Sequence, residues 1–210
     1  MIKSYSEMSI EKYYELKDNM TEELEPLDFQ VRLISILSDM GEDDVLNLPL
    51  DKYAEYVADL DFIYELPKPR NMFSSIIKIN GVKYKLLKDV SNMTAGQYID
   101  FQSYLDNELG VEYILSTVLI PEGKKYGEYD VMPVIEDIRK CLDIQTAISI
   151  RFFFHKKLLN TIKRFLISLD LMMRNRRMPK EKQEQMRMAR KEIRRMLSSL
   201  NGSGSIWLTQ

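Results

Sequence analysis

Apolar side chains return every third or fourth residue through most of this chain, the spacing that lines one face of a helix. A first amphipathic helix is predicted over residues 9–19, with Ser9 as its N-cap. A second, near 27–40, begins after Pro26 and carries Phe29, Leu33, Ile36 and Leu37 on one side. Gly41 is placed to end it, because glycine tolerates the left-handed conformation of a helix C-terminus. Glu42, Asp43 and Asp44 then start a short turn, where carboxylates suit the helix dipole. After Pro49 another helix sets Tyr53, Tyr56, Val57, Leu60 and Ile63 on one face, until Pro67 and Pro69 stop it.

The period then switches from helical spacing to alternation. Asn80-Gly81 separates two alternating runs, the signal of a two-residue hairpin with a type I′ turn. Across that turn Ile79 faces Val82 and Ile77 faces Tyr84, with Leu86 continuing the face and Lys78, Lys83 and Lys85 pointing away. A two-stranded hairpin is marginal alone, so its apolar face is expected to pack on helices. Thr94-x-x-Gln97 is a capping box; it opens a helix through Leu105 with Tyr98, Phe101, Tyr104 and Leu105 inward. Gly110 interrupts, and residues 111–120 are predicted to form an apolar helix ending before Pro121. A loop, EGKKYGEYD, follows, and Asp130 is placed to cap the next helix.

From Asp143 to about Arg177 there is neither Gly nor Pro, which allows one helix of roughly 50 Å at 1.5 Å per residue. Pro179 breaks it and opens a second basic helix through Leu200, with few apolar positions. NGSGS is expected to be a flexible spacer before Ile206-Trp207-Leu208. The predicted fold class is therefore mainly α: a helical domain over 1–142 with one small hairpin (about 75–87), long basic helices over 143–200, and a flexible tail over 201–210.

Charge changes this picture more than composition does. The chain has 210 residues and a formal charge of −2, yet residues 1–66 carry 17 acids against 5 bases, and residues 151–200 carry 15 bases against 4 acids. Opposite ends of that kind can pair internally, pair head to tail between copies, or serve different partners. Length and apolar content suit a core that needs no disulfide. Cys141 is the only cysteine, on an apolar helix where a buried, inert thiol is expected. The first residues, MIKSYSEMSIEKYYEL, lack the apolar core of a secretory signal, and no uninterrupted apolar stretch is long enough to span a bilayer.

Candidate chemistry is sparse. His155 is the only histidine, which removes multi-histidine zinc sites, and within FFFHKK it is expected to be a packing or surface residue. Ser9-x-x-Lys12 lacks the companion elements of serine acyl enzymes. GKKYGEY lacks the Gly-Lys-Ser/Thr ending of a phosphate loop, and Glu42-Asp43-Asp44 lacks the alternation of a calcium loop. No enzyme, cofactor or metal is expected. The basic helices suit nucleic acid electrostatically, although their bases are spread around the helix with no single clean stripe. The weak apolar face argues against membrane binding.

The order of segments resembles the tail assembly chaperones, small helical proteins encoded in tailed bacteriophage genomes. The resemblance covers about Val31 to Phe154: VRLISILSDMGEDDVLNLPLDKY, the hairpin IIKINGVKYKLLKD, MTAGQYIDFQSYL, and ILSTVLIPEGKKYGEYD. It implies a role in virion morphogenesis, binding a tail or neck structural protein in the host cytoplasm before assembly. It carries over no site residues, and the long basic C-terminus and the NGSGSIWLTQ tail depart from it. A structural component retained in the virion, a homo-oligomer and a nucleic-acid binder stay open. The contact candidates are Met186, Ile193, Met196, Leu197 and Trp207, with Arg187, Arg190, Lys191, Arg194 and Arg195 as electrostatic contacts.

Overall fold

The computed structural model describes residues 1–20, 24–70, 74–106, 110–173 and 179–206. It shows a mainly helical chain with one small antiparallel sheet. Contacts divide the chain into two units, Met1–Lys88 with Met93–Arg151, and Asp89–Asn92 with Phe152–Gln210. The division falls inside the long helix α8 (Ile144–Met173) rather than ahead of it.

In the first unit, α1 (Ile10–Met20) starts where expected: the Lys12 N–H donates to Ser9 Oγ at 3.2 Å. Helix α2 (Pro26–Ser38) buries Leu33, Ile36 and Leu37, with Val31 and Ile34 beside them. Its end differs from expectation. Asp39, not Gly41, takes the left-handed conformation (φ 56°), and its carboxylate is held 2.6 Å from Lys12 Nζ. Aspartate is among the few residues that adopt this region readily. Gly41 is extended and precedes the short α3 (Glu42–Leu46), its carbonyl accepting from the Val45 N–H at 3.0 Å. Helix α4 (Leu50–Ala58) stops before a 3-10 turn at Asp61–Tyr64, and Leu60 and Ile63 are buried there.

Strands β1 (Ile76–Ile79) and β2 (Val82–Leu86) pair in the expected register, Ile77 opposite Tyr84 and Ile79 opposite Val82. Asn80 (φ 46°) and Gly81 (φ 78°) both take the positive φ that a type I′ turn requires. The tip is docked: Asn80 Nδ2 donates to Asp137 Oδ1 at 2.8 Å. Val82, expected inward, is exposed, although Ile79 directly opposite it is buried with Tyr84 and Leu86.

A third strand corrects the helix predicted over 111–120. Helix α6 ends at Ser116 (Val111–Ser116), and β3 (Leu119–Pro121) pairs antiparallel with β2, Leu119 opposite Leu86. The Ser116 and Thr117 hydroxyls donate to the carbonyls of Tyr113 and Ile114, each at 2.7 Å. Such local bonds favour leaving the helix, and the β-branched Val118 and Ile120 suit extended backbone. Pro121 is tolerated because β3 lies at the sheet edge.

Helix α5 (Ala95–Asp106) opens with the expected capping box: Thr94 N–H donates to Gln97 Oε1 at 2.8 Å and Gln97 N–H to Thr94 Oγ1 at 3.2 Å. Gln97 is only 4% exposed, and its Nε2 also donates to the Thr117 carbonyl at 3.1 Å. Phe101 is buried, whereas Tyr98, Tyr104 and Leu105 are half-buried. Asp130 caps α7 (Val131–Cys141), accepting from the Met132 N–H at 3.0 Å. Cys141 is exposed, not buried as expected: the chain leaves α7 there and buries Leu142 instead.

Asp143 caps α8, accepting from the Thr146 N–H at 2.8 Å, and forms an antiparallel bridge with Ser9. The Ile10 N–H donates to the Leu142 carbonyl at 3.2 Å, and the Ile144 N–H donates to the Met8 carbonyl at 2.8 Å. Farther along α8, Ser149 Oγ accepts from the Arg70 N–H at 2.7 Å.

One buried polar junction joins α1 to α6. Tyr14 OH donates to Glu112 Oε2 at 2.9 Å and accepts from the Val111 N–H at 3.0 Å. Glu112 is 4% exposed. A Cβ at Gly110 would press on the Glu112 carboxylate, so any larger residue there would force that carboxylate to shift from Tyr14. Tyr14→Phe keeps the ring and removes both bonds. It should lower the unfolding free energy by about 1–3 kcal/mol, seen as a lower urea midpoint at unchanged slope; an unchanged midpoint would show that the junction adds no stability.

Burial, with Asp137 beside it, pushes the Tyr84 hydroxyl from 10.0 up to about 12. The fold favours the neutral phenol, so this contribution to stability is complete below pH 10 and is lost as pH rises from 10 toward 12. Tyr84→Phe should flatten the alkaline decline of denaturant midpoints over that interval. Equal slopes in both proteins would refute the assignment.

Candidate interaction surface

The second unit contains the later part of α8 and the helix α9 (Lys180–Ile206). Pro179 supplies the carbonyl that accepts from the Gln183 N–H at 3.1 Å, which starts α9. The helix runs through Asn201-Gly202-Ser203-Gly204-Ser205, where a flexible spacer is expected from sequence. Once a helix is propagating, each added residue gains a hydrogen bond, against about 1 kcal/mol lost per glycine.

Among the described residues, an ion pair joins the two helices. Arg190 Nη2 donates to Asp170 Oδ2 at 3.1 Å, and Arg190 Nε lies 2.7 Å from Asp170 Oδ1. The second contact is short but poorly aligned for a hydrogen bond, and both of its atoms are hidden from water with no other partner. Charge attraction therefore holds it. Gln183, Met186, Ile193 and Leu197 fall at helical spacing with Arg190 and are half-buried like it. This is the face that α9 turns toward α8. Of the other apolar candidates, the Met196 side chain and Trp207 lie outside the described residues.

The neighbouring face of α9 is basic. Arg187, Arg190, Lys191, Arg194, Arg195 and Ser198 line a groove of about 510 Å³. These positions repeat by three and four residues, so the bases form one stripe, contrary to the spread-out arrangement expected from sequence. Arg187 and Arg195 are separated by about 12 Å along the axis. Arg190 is tied to Asp170, and Arg195 reaches Glu192 at 3.4 Å. Arg187, Lys191 and Arg194 are exposed and have no carboxylate within 4 Å among the described residues.

Apolar side chains also stand in solvent on this unit: Phe165, Ile167, Leu171 (62% exposed) and Met172 on α8, and Met188 (71% exposed) on α9. None of the four on α8 was singled out from sequence as a contact residue. Ile167 and Leu171 are one turn apart, and Phe165 and Met172 two turns apart, so each pair shares a face. Lys157 Nζ sits 5.4 Å from the Phe153 ring centroid, a cation–π arrangement.

Among the described residues no group of three or more His, Cys, Asp or Glu side chains could hold a metal ion. No helix among them is long and apolar enough to cross a membrane. His155 is half-buried on α8. Among the described residues the unit offers a surface of exposed bases, three of them with no carboxylate within 4 Å, and of exposed apolar side chains.

The Arg190–Asp170 pair is partly exposed at both side chains, which places its strength between that of surface and buried pairs. Asp170→Ala should speed amide exchange in α9 about tenfold, roughly 1.4 kcal/mol of opening free energy. Mass-resolved hydrogen exchange over residues 180–197 measures it, and an unaltered rate would show that other contacts hold α9. Compared with protein families, curated proteins and solved structures, the chain matches none.

Proposed function

We propose that this chain is a bacteriophage morphogenesis protein, a tail assembly chaperone that binds a tail or neck structural protein in the host cytoplasm before assembly. The observation that carries this reading is the surface of the second unit, where Leu171, Ile167 and Met188 are exposed on the unit that carries a basic stripe, three of whose bases have no carboxylate within 4 Å among the described residues. Exposed apolar side chains grouped on one unit mark a binding surface for another protein. The order of segments over 31–154, which resembles the tail assembly chaperones, supports the same reading. Binding, not reaction chemistry, is the activity proposed.

Co-expression tests it. Aggregation-prone tail or neck proteins encoded beside this chain should become soluble with it and co-purify. Ile167→Asp with Leu171→Asp and Met188→Asp should reduce the soluble fraction roughly fivefold or more, with the circular dichroism of the variant unchanged. Mass spectrometry of purified particles should find the chain well below stoichiometric amounts. Stoichiometric retention would make it a structural virion component instead, and no effect on any co-expressed structural protein would end the chaperone reading.

A further inference from the structure

The exposed bases of α9 have a counterpart in the first unit. Around α3 and the start of α4, Asp43, Asp44 and Asp51 are exposed and have no cation within 4 Å among the described residues. Glu42, beside them, is already bonded to Arg32 at 2.7 Å. Between these acids lie two leucines that the fold leaves uncovered, Leu46 (62% exposed) and Leu50 (83% exposed). On α9, Arg187, Lys191 and Arg194 are likewise unpaired, with Met188 exposed among them.

The two surfaces thus match twice. They are opposite in sign, and each carries apolar side chains that gain by leaving water. A nucleic acid would satisfy the three bases but leave Met188, Leu46 and Leu50 unanswered. A second copy of the chain answers both halves. We propose that the α9 groove of one copy receives the α3–α4 edge of a second copy, Arg187, Lys191 and Arg194 facing Asp43, Asp44 and Asp51, with Met188 against Leu46 and Leu50. Different patches meet, so the contact is heterologous and repeats into a ring or an open chain. Charge steers the encounter and fixes register; the apolar side chains resist its loss when salt screens the charge over about 10 Å. The contact goes beyond the chaperone reading and needs no tail protein.

Sedimentation velocity on the full chain tests it. At low salt the wild type should exceed monomer mass about twofold or more. Association should weaken as salt rises toward roughly 0.5 M, where screening shortens the reach of charge to about 4 Å. The base variant is Arg187→Glu with Lys191→Glu and Arg194→Glu. The acid variant is Asp43→Lys with Asp44→Lys and Asp51→Lys. Each should be monomeric alone, and an equimolar mixture should associate again, because each then carries the mate of the other's surface. All six positions are exposed, and circular dichroism verifies that both variants fold. A monomeric wild type at low salt, association of either variant by itself, or a mixture that stays monomeric would overturn the proposal. So would a monomeric wild type that binds a labelled DNA duplex through Arg187, Lys191 and Arg194. Self-association and partner solubility are separate measurements, so either proposal can fail without the other.

Discussion

Two helix starts meet at the antiparallel bridge between Ser9 and Asp143, and the first unit depends on that meeting. Each residue uses its side chain to cap its own helix, Ser9 toward Lys12 and Asp143 toward Thr146. The backbones beside them are then free to bond across, Ile10 to Leu142 and Ile144 to Met8. Met8, Ile10, Leu142 and Ile144 are all buried around the bridge, so its polar groups are paired in a dry setting, where an unpaired one would be costly. From this point α1 runs out to present Tyr14 to Glu112, and α8 runs out to present Ser149 to Arg70. The bridge joins segments far apart in sequence, which keeps the first unit from separating into an N-terminal and a C-terminal half.

Features determined within a few residues were legible from sequence. The Ser9 cap, the Thr94–Gln97 box, the Asp130 cap and the Asn80-Gly81 turn with its register all follow from local chemistry, and all are present. Features determined by a distant partner were not. Leu119–Pro121 is a strand because the edge of β2 is available to it, and its apolar run alone is equally consistent with a helix. The left-handed Asp39 is paired with Lys12 from another helix, a contact that carries no sequence period, whereas glycine is the residue that local chemistry favours at a helix end. Cys141 is exposed because Leu142 takes the buried place next to it.

The same division applies to the surface of the second unit. The basic stripe was accessible in principle, since 187, 190, 191, 194 and 195 repeat at helical spacing. Lys182 lies off that stripe, on the other side of the helix. The pairing of Arg190 with Asp170 had no such signal, because it crosses between two helices and carries no period. That pair ties one base of the stripe to α8 and leaves Arg187, Lys191 and Arg194 without a carboxylate within 4 Å among the described residues. Sorting the bases into tied and untied ones is a tertiary event.

Gln97 shows how narrow one position can become. Capping boxes accept glutamate or glutamine at this place, but here the side chain must also give a proton to the Thr117 carbonyl. Glutamate has none to give when ionised, and asparagine is a methylene too short to span both duties. The start of α5 is consequently fastened by a group that does not titrate, so acidification leaves that fastening untouched, and one amide secures two neighbouring helix ends at once.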